Sequence, residues 1–250
     1  MPDILVSALA TDGLIWIALG SLLAGLVRGF AGFGTAMIYL PIAGQFLTPL
    51  GAVMTLMVID SFGPLPALPR AVREADWPDL RRLIFGMFLC MPVGIWGLIT
   101  VPADVFRSAV SLVSLALLAA LILGLRYSGR LSAPKIYGIG AMSGVLGGAV
   151  GLPGPPVILL YMASTHAPAI IRATTMVFLV AFDVIFFAME GVQGLLSGAT
   201  LVLGAVLITA MMIGILIGTW LFRPAYETVY RALAYVIIGV SALYGLPIWG

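Results

Sequence analysis

The residues able to do chemistry in this chain are few, and most stand inside apolar sequence. Arg28 joins the apolar runs 13–28 and 31–47. A cation within such a stretch costs roughly 2.5–3.5 kcal/mol at a helix centre on insertion scales, which marks it as a candidate functional residue. Its planar guanidinium suits bidentate contact with an oxyanion. It reads equally as a hairpin tip whose charge snorkels to lipid headgroups. Asp60 and Asp183 are carboxylates in apolar runs, and Glu190 stands at the edge of one. Such acids gate, or carry a coupling proton or cation; they also pair with a nearby Arg or hold an unwound backbone. His166, beside Thr165, reads as a pH-sensitive or substrate-facing group or as a histidine in an interfacial loop. One His and the single Cys90 supply no usual metal set and no intramolecular disulfide, so no metal or cofactor is expected.

Two glycine-rich turns stand out beside these side chains. Gly29, Gly32 and Gly34 punctuate the first; Gly148, Gly151 and Gly154, with Pro153, Pro155 and Pro156, punctuate the second. Glycine permits positive φ and bares backbone N–H groups, and proline stops one helix and pre-sets φ for the next. Helices starting near Gly34 and Pro155 would present N-termini, each with roughly half a positive charge, to an anion. The substrate-binding candidates are therefore Arg28, Gly29, Gly32, Phe33, Gly34 and Thr35 in the first turn. Gly148, Gly151, Gly154 and Pro155 are their counterparts in the second. Asp60, Asp183 and His166 are the coupling or gating candidates. The competing reading of the glycines is close helix packing, as small residues allow in membranes. GxGxxG, GxxxxGK[ST], HExxH and GxSxG are all absent from the chain, so ATP-driven pumping and the usual hydrolase chemistries have no support and an enzyme is not expected.

The elements that must position these residues follow from composition. Of 250 residues, 62% are hydrophobic and 9% charged, with mean hydropathy +1.18. A soluble domain carries about a quarter charged residues, and so few charges cannot dress a water-facing surface. The chain therefore reads as an all-α polytopic membrane protein, and disordered, nucleic-acid-binding and disulfide-rich secreted classes are excluded. Residues 1–12 contain Asp3 and Asp12 but no Lys or Arg, so the first apolar run is expected to be a retained membrane segment rather than a signal peptide.

Ten apolar segments are predicted, at 13–28, 31–47, 51–69, 83–101, 106–125, 136–150, 155–165, 168–189, 197–222 and 229–249. Segments one, two, six and seven are short enough for broken or re-entrant helices; the others suffice to cross, at about 20 residues each. Arg70, Arg73, Arg81 and Arg82 make one loop cytoplasmic, and Arg126, Arg130 and Lys135 another. The stretch from Arg70 to Arg82 is expected to form a short interfacial helix. The turn at 101–104 and the linker at Glu190 then lie outside, as do both termini, and Arg223 and Arg231 lie inside.

Gly25, Gly29 and Gly32 recur as Gly144, Gly148 and Gly151 at a constant offset of 119. Two five-segment halves, about 13–126 and 136–249 of one 1–250 transmembrane domain, must enter the membrane from opposite sides because five is odd. That is the inverted-repeat plan of secondary transporters, with broken helices meeting near the midplane. The expected site is where 28–35 faces 148–156.

The runs Gly25-Leu26-Val27-Arg28-Gly29-Phe30-Ala31-Gly32-Phe33-Gly34 and Gly144 to Tyr161, with its Gly151-Leu152-Pro153-Gly154-Pro155-Pro156 turn, resemble the paired signatures of the sulfite exporter TauE/SafE family. The resemblance spans essentially the whole chain. Arg28 stands where a small or apolar residue is frequent in that family, and Leu152-Pro153 where glycine is often seen. What the resemblance implies is a multi-pass transporter of the bacterial inner membrane that exports a small sulfur-containing anion such as a sulfonate or sulfite. Alternating access, with a proton or cation as coupling ion, would drive it. A small-anion channel and a carboxylate transporter of the same fold are the competing readings. The bilayer and the anion are the expected partners, with no nucleic acid; lipid-facing and subunit-facing apolar surfaces have similar compositions, so the sequence sets no oligomeric state.

Overall fold

A computed structural model describes residues 2–65, 67–124, 132–161 and 167–248. Among these every regular element is helical. In order they are α1 (Pro2–Leu9), α2 (Leu14–Ala31), α3 (Thr35–Ala43), α4 (Pro49–Ser61), α5 (Leu68–Glu74) and α6 (Trp77–Thr100). Then follow α7 (Ala103–Ile122), α8 (Ala133–Val150), α9 (Gly154–Tyr161), α10 (Pro168–Val192), α11 (Gly198–Leu221) and α12 (Glu227–Tyr244). A single 3₁₀ turn at Pro224–Tyr226 precedes α12. Each of the ten apolar segments corresponds to one of these helices, α5 overlaps the short helix expected within 70–82, and α1 is an addition.

Their lengths depart from the sequence reading in ways that turn chemistry explains. The first segment does not stop at Arg28: α2 runs three residues further, to Ala31, so Arg28 lies inside its last turn and the break is at Gly32–Gly34. The third segment, read as a crossing over 51–69, is cut to the 13 residues of α4, with Pro64 in the turn that follows. At 1.5 Å per residue α4 spans about 20 Å, short of a hydrocarbon core of about 30 Å. The interfacial helix ends at Glu74, and Arg81 and Arg82 belong to the first turns of α6. Among the described residues five helices are long and apolar enough to cross a membrane: Leu14–Ala31, Trp77–Thr100, Ala103–Ile122, Ala169–Val192 and Gly198–Leu221. Arg126, Arg130 and His166 lie outside the described residues.

The chain divides into two compact units, neither of which coincides with one half of the sequence. The first comprises residues 1–60, 101–120 and 197–250, hence α1 to α4, α7, α11 and α12. Its centre is the pair α2 and α11, which run parallel with glycines facing backbone. A Cβ added at Gly25 would lie 2.3 Å from the Met211 carbonyl oxygen, and one at Gly214 would lie 2.2 Å from that of Leu22. The Ser21 hydroxyl donates to Leu207 O across the same seam at 3.1 Å. Nothing larger than hydrogen fits there, and close approach supplies the packing that lipid-exposed helices cannot draw from hydrophobicity. Beside the pair, α3 is tied to α4 by the Tyr39 hydroxyl, which donates to the Thr55 hydroxyl at 2.8 Å; both side chains are buried. The end of α3 is tied to α7 and α12 through Gln45, which accepts from Arg107 and donates to Gly245 O at 3.2 Å.

The second unit comprises residues 61–100 and 121–196. Its centre is the pair α6 and α8, again parallel. Cβ atoms at Gly140 and Gly144 would lie 2.2 Å and 2.4 Å from the carbonyl oxygens of Leu83 and Met87. The α10 helix packs on this pair, with Phe182 filling the space beside Gly147. It is pinned at its N-terminal end where the Asp76 N–H donates to the Thr174 hydroxyl at 2.9 Å. Outward, Phe85, Trp96, Leu112, Leu216 and Trp220 are exposed apolar side chains, as lipid contact requires.

Candidate functional site

In the first unit the break between α2 and α3 is built by two left-handed glycines. Gly32 (φ 78°) ends α2, its N–H donating to Arg28 O at 2.8 Å, and Gly34 (φ 95°) begins α3. An L side chain at either position would be strained. No side chain caps α3, so the orphan N–H groups of its first turn are left for a ligand or water. Gly32 is exposed, and a Cβ there would meet nothing within 4 Å, so the turn borders open space. Thr35 is buried at the start of α3, and the half-buried Phe33 ring lies 6.4 Å from that of Tyr235.

Arg28 is one turn before this break, where a cation also complements the C-terminal end of the helix dipole. Its guanidinium pairs with Asp60, in the last turn of α4; the two side chains are 23% and 30% exposed. Of the readings open for Asp60, the pairing with a nearby Arg is the one observed. The structure thus pairs Arg28 with Asp60 one helical turn before the Gly32–Gly34 break at which α3 starts.

Gly29 is close to these residues but faces the helix seam: a Cβ there would lie 2.5 Å from Ile215 O. Gly148 is its analogue in the second unit, where a Cβ would lie 2.8 Å from Met91 O. Both therefore have a packing role, the alternative that the sequence reading carried for these glycines. The motif separates into seam glycines (Gly25, Gly29, Gly144, Gly148) and turn glycines (Gly32, Gly34, Gly151).

In the second unit Gly151 (φ 67°) ends α8, with its N–H on Gly147 O at 2.9 Å, and α9 starts at Gly154. Residues 151–154 are buried. Because Pro155 and Pro156 carry no N–H, only Gly154 and Val157 among the first four residues of α9 can donate. This turn is therefore a poorer anion cradle than the one at α3, although the helix dipole remains. Asp183 is half-buried on α10. Glu190, which the sequence reading placed in a linker past residue 189, belongs to α10, since the helix continues to Val192. Its side chain is fully buried. A carboxyl at the edge of an apolar run was the available signal, and the boundary chosen there obscured it.

Residues 17–245 match the family described as Sulfite exporter TauE/SafE. A relative from Cupriavidus necator, named "Probable sulfite/organosulfonate exporter TauE", is 25% identical over 227 residues, covering 86% of this chain and 87% of the relative. No solved structure matches the chain. With the family matched across nearly the full length, and with five apolar helices of spanning length, the chain belongs to the sulfite exporter TauE/SafE family and is a multi-pass bacterial membrane transporter rather than an enzyme.

Proposed function

We propose that this protein exports a small sulfur-containing anion of the sulfite or organosulfonate class, and that the α2–α3 turn with Arg28 is a binding element for it. The observation that carries the reading is an intramembrane guanidinium one turn from an uncapped helix N-terminus, its counterion supplied by a different helix. An arriving oxyanion replaces Asp60 on Arg28, gains a bidentate charge-assisted contact and accepts from the first-turn N–H groups of α3. Asp60, released, changes what holds α4 to α2, so occupancy of the turn and the packing of α4 are linked. That exchange of partners is the gating role proposed for Asp60.

The name of the Cupriavidus relative supports the anion class. Alternating access by two inverted repeats is supported by the equivalence of the residues spaced by 119. Gly25 and Gly144 lie in parallel helix seams, Gly29 and Gly148 do likewise, and Gly32 and Gly151 are both left-handed C-caps. The test is flux of sulfite and of sulfoacetate in proteoliposomes. Arg28→Gln is expected to abolish uptake, and Arg28→Lys to weaken it, since an ammonium lacks the bidentate fork. Unchanged uptake by Arg28→Gln at normal expression would refute the assignment.

A further inference from the structure

Along α10, Phe178, Phe182, Phe186 and Glu190 follow at four-residue spacing, and each is 0% exposed. Residues so spaced lie one above another on a helix. Phe182 and Phe186 stack at 5.8 Å, and Phe182 lies against Gly147 of α8. A buried ridge that is aromatic for two turns thus ends in a carboxyl group. Neither side-chain oxygen of Glu190 has a hydrogen-bond partner among the described residues, and none of the ion pairs formed there includes it.

The helices packed on α10 are α5, α6, α8 and α9. Their charged and titratable groups are Arg70, Arg73 and Glu74 on α5; Asp79, Arg81, Arg82 and Cys90 on α6; Lys135 and Tyr137 on α8; and Tyr161 on α9. Arg70 is paired with Glu74 and Arg82 with Asp79. On α10 itself stand Arg172 and Asp183, the latter two turns before Glu190. Among those whose side chains the structure describes, none donates to Glu190. Immediately beyond it α10 ends at Val192: residues 191–194 are exposed, and Leu195 N–H closes on Glu190 O at 3.0 Å.

A carboxylate stripped of water with neither donor nor cation is strongly disfavoured, whereas the neutral acid fits an apolar enclosure. Ionisation therefore requires a different arrangement, one that admits water from the exposed turn beside it. We infer that Glu190 is a proton-binding site of the transport cycle: it holds one proton in the arrangement seen here and releases it to water when the end of α10 opens. Transport of the anion is then accompanied by movement of a proton. This inference rests on the transporter reading above, and it names the coupling ion and its carrier.

The test combines two readouts on the full-length protein in proteoliposomes. Infrared difference spectra of wild type against Glu190→Gln at neutral pH should show a protonated-carboxyl band that the variant lacks. Absence of that band overturns the inference whether or not any anion is carried. In flux assays with sulfoacetate, wild type should respond to an imposed pH gradient. Glu190→Gln should lose at least ten-fold of that response while retaining sulfoacetate exchange at equal pH, which also shows that the variant is folded. Glu190→Asp should restore part of the response. A gradient response that survives in Glu190→Gln, or a wild type that exchanges sulfoacetate with no response to pH, overturns the inference and leaves the proposed function standing. Failure of wild type to exchange either sulfite or sulfoacetate overturns both the function and the coupling role of Glu190.

Discussion

Alanine substitutions at three glycines should separate into three distinct effects, because the positions differ in what a methyl group would meet. At Gly214 the new Cβ would lie 2.2 Å from Leu22 O and 2.8 Å from Leu26 N, where ordinary contact begins at 3.4 Å. Both atoms are backbone, so relief requires α2 and α11 to part by about 1 Å. A gap of that size forfeits a quarter to a half of each dispersion contact of ~0.1–0.2 kcal/mol, and a seam with on the order of 50 such contacts then loses about 1–5 kcal/mol. Overpacking elsewhere typically costs about 1–3 kcal/mol, so about 2 kcal/mol is the expected loss. At Gly32 space is free, but φ is 78°. The left-handed strain of about 1–2 kcal/mol there is offset only in part by the stiffer unfolded chain, leaving a loss of about 1 kcal/mol. Gly97, inside α6 with nothing within 4 Å, should gain about 0.5–1 kcal/mol from better helix propensity. Reversible unfolding in mixed micelles, followed by circular dichroism, measures all three. The expected order of stability is Gly97→Ala, wild type, Gly32→Ala, Gly214→Ala. A Gly214→Ala protein as stable as wild type would refute the argument that the seam is closed at backbone contact.

Arg28→Gln and Asp60→Asn should each destabilise the first unit, and the double variant should recover part of the loss, with a coupling energy of about 0.5–2 kcal/mol in a double-mutant unfolding cycle. Thr174→Val removes the acceptor of the Asp76 N–H and should cost about 1–3 kcal/mol in the same assay, whereas Thr174→Ser should be close to neutral. Tyr39→Phe should cost about 0.5–1.5 kcal/mol, since Thr55 keeps its own bonds to Gly51 O and Ala52 O.

How much of this was legible in the sequence depended on the kind of signal. Hydropathy located α2 to α4 and α6 to α12 because burial in lipid is a property of composition, and it missed the eight-residue α1. Ends were set by turn chemistry that hydropathy does not see: α2 passes Arg28 because only Gly32 adopts the left-handed cap, and α10 passes residue 189 to enclose Glu190. The glycine motif was visible, but not its division of labour. Gly25 and Gly32 are the same residue type in the same run, and their roles differ because the partner of Gly25 is Met211, far along the chain. The pairing of Asp60 with an Arg was legible as one of several options, and the choice among them needed the fold. The weakness of α9 as a donor was present in its two prolines, since a missing N–H is a covalent fact.

The two parallel seams also impose an order on assembly. The α6–α8 seam joins stretches that leave the ribosome close together, so the second unit has all its parts once Leu196 has been made. The first unit does not. Among the described residues the nearest cover for the backbone face of α2 at Gly25 and Gly29 is α11, which begins at Gly198. Until then a membrane-inserted α2 presents bare glycine backbone to lipid or to whatever quality-control machinery reads such faces. Biogenesis of this protein is therefore committed late, and a chain truncated before α11 would be a substrate for degradation despite carrying Arg28, Asp60 and the whole α2–α3 turn.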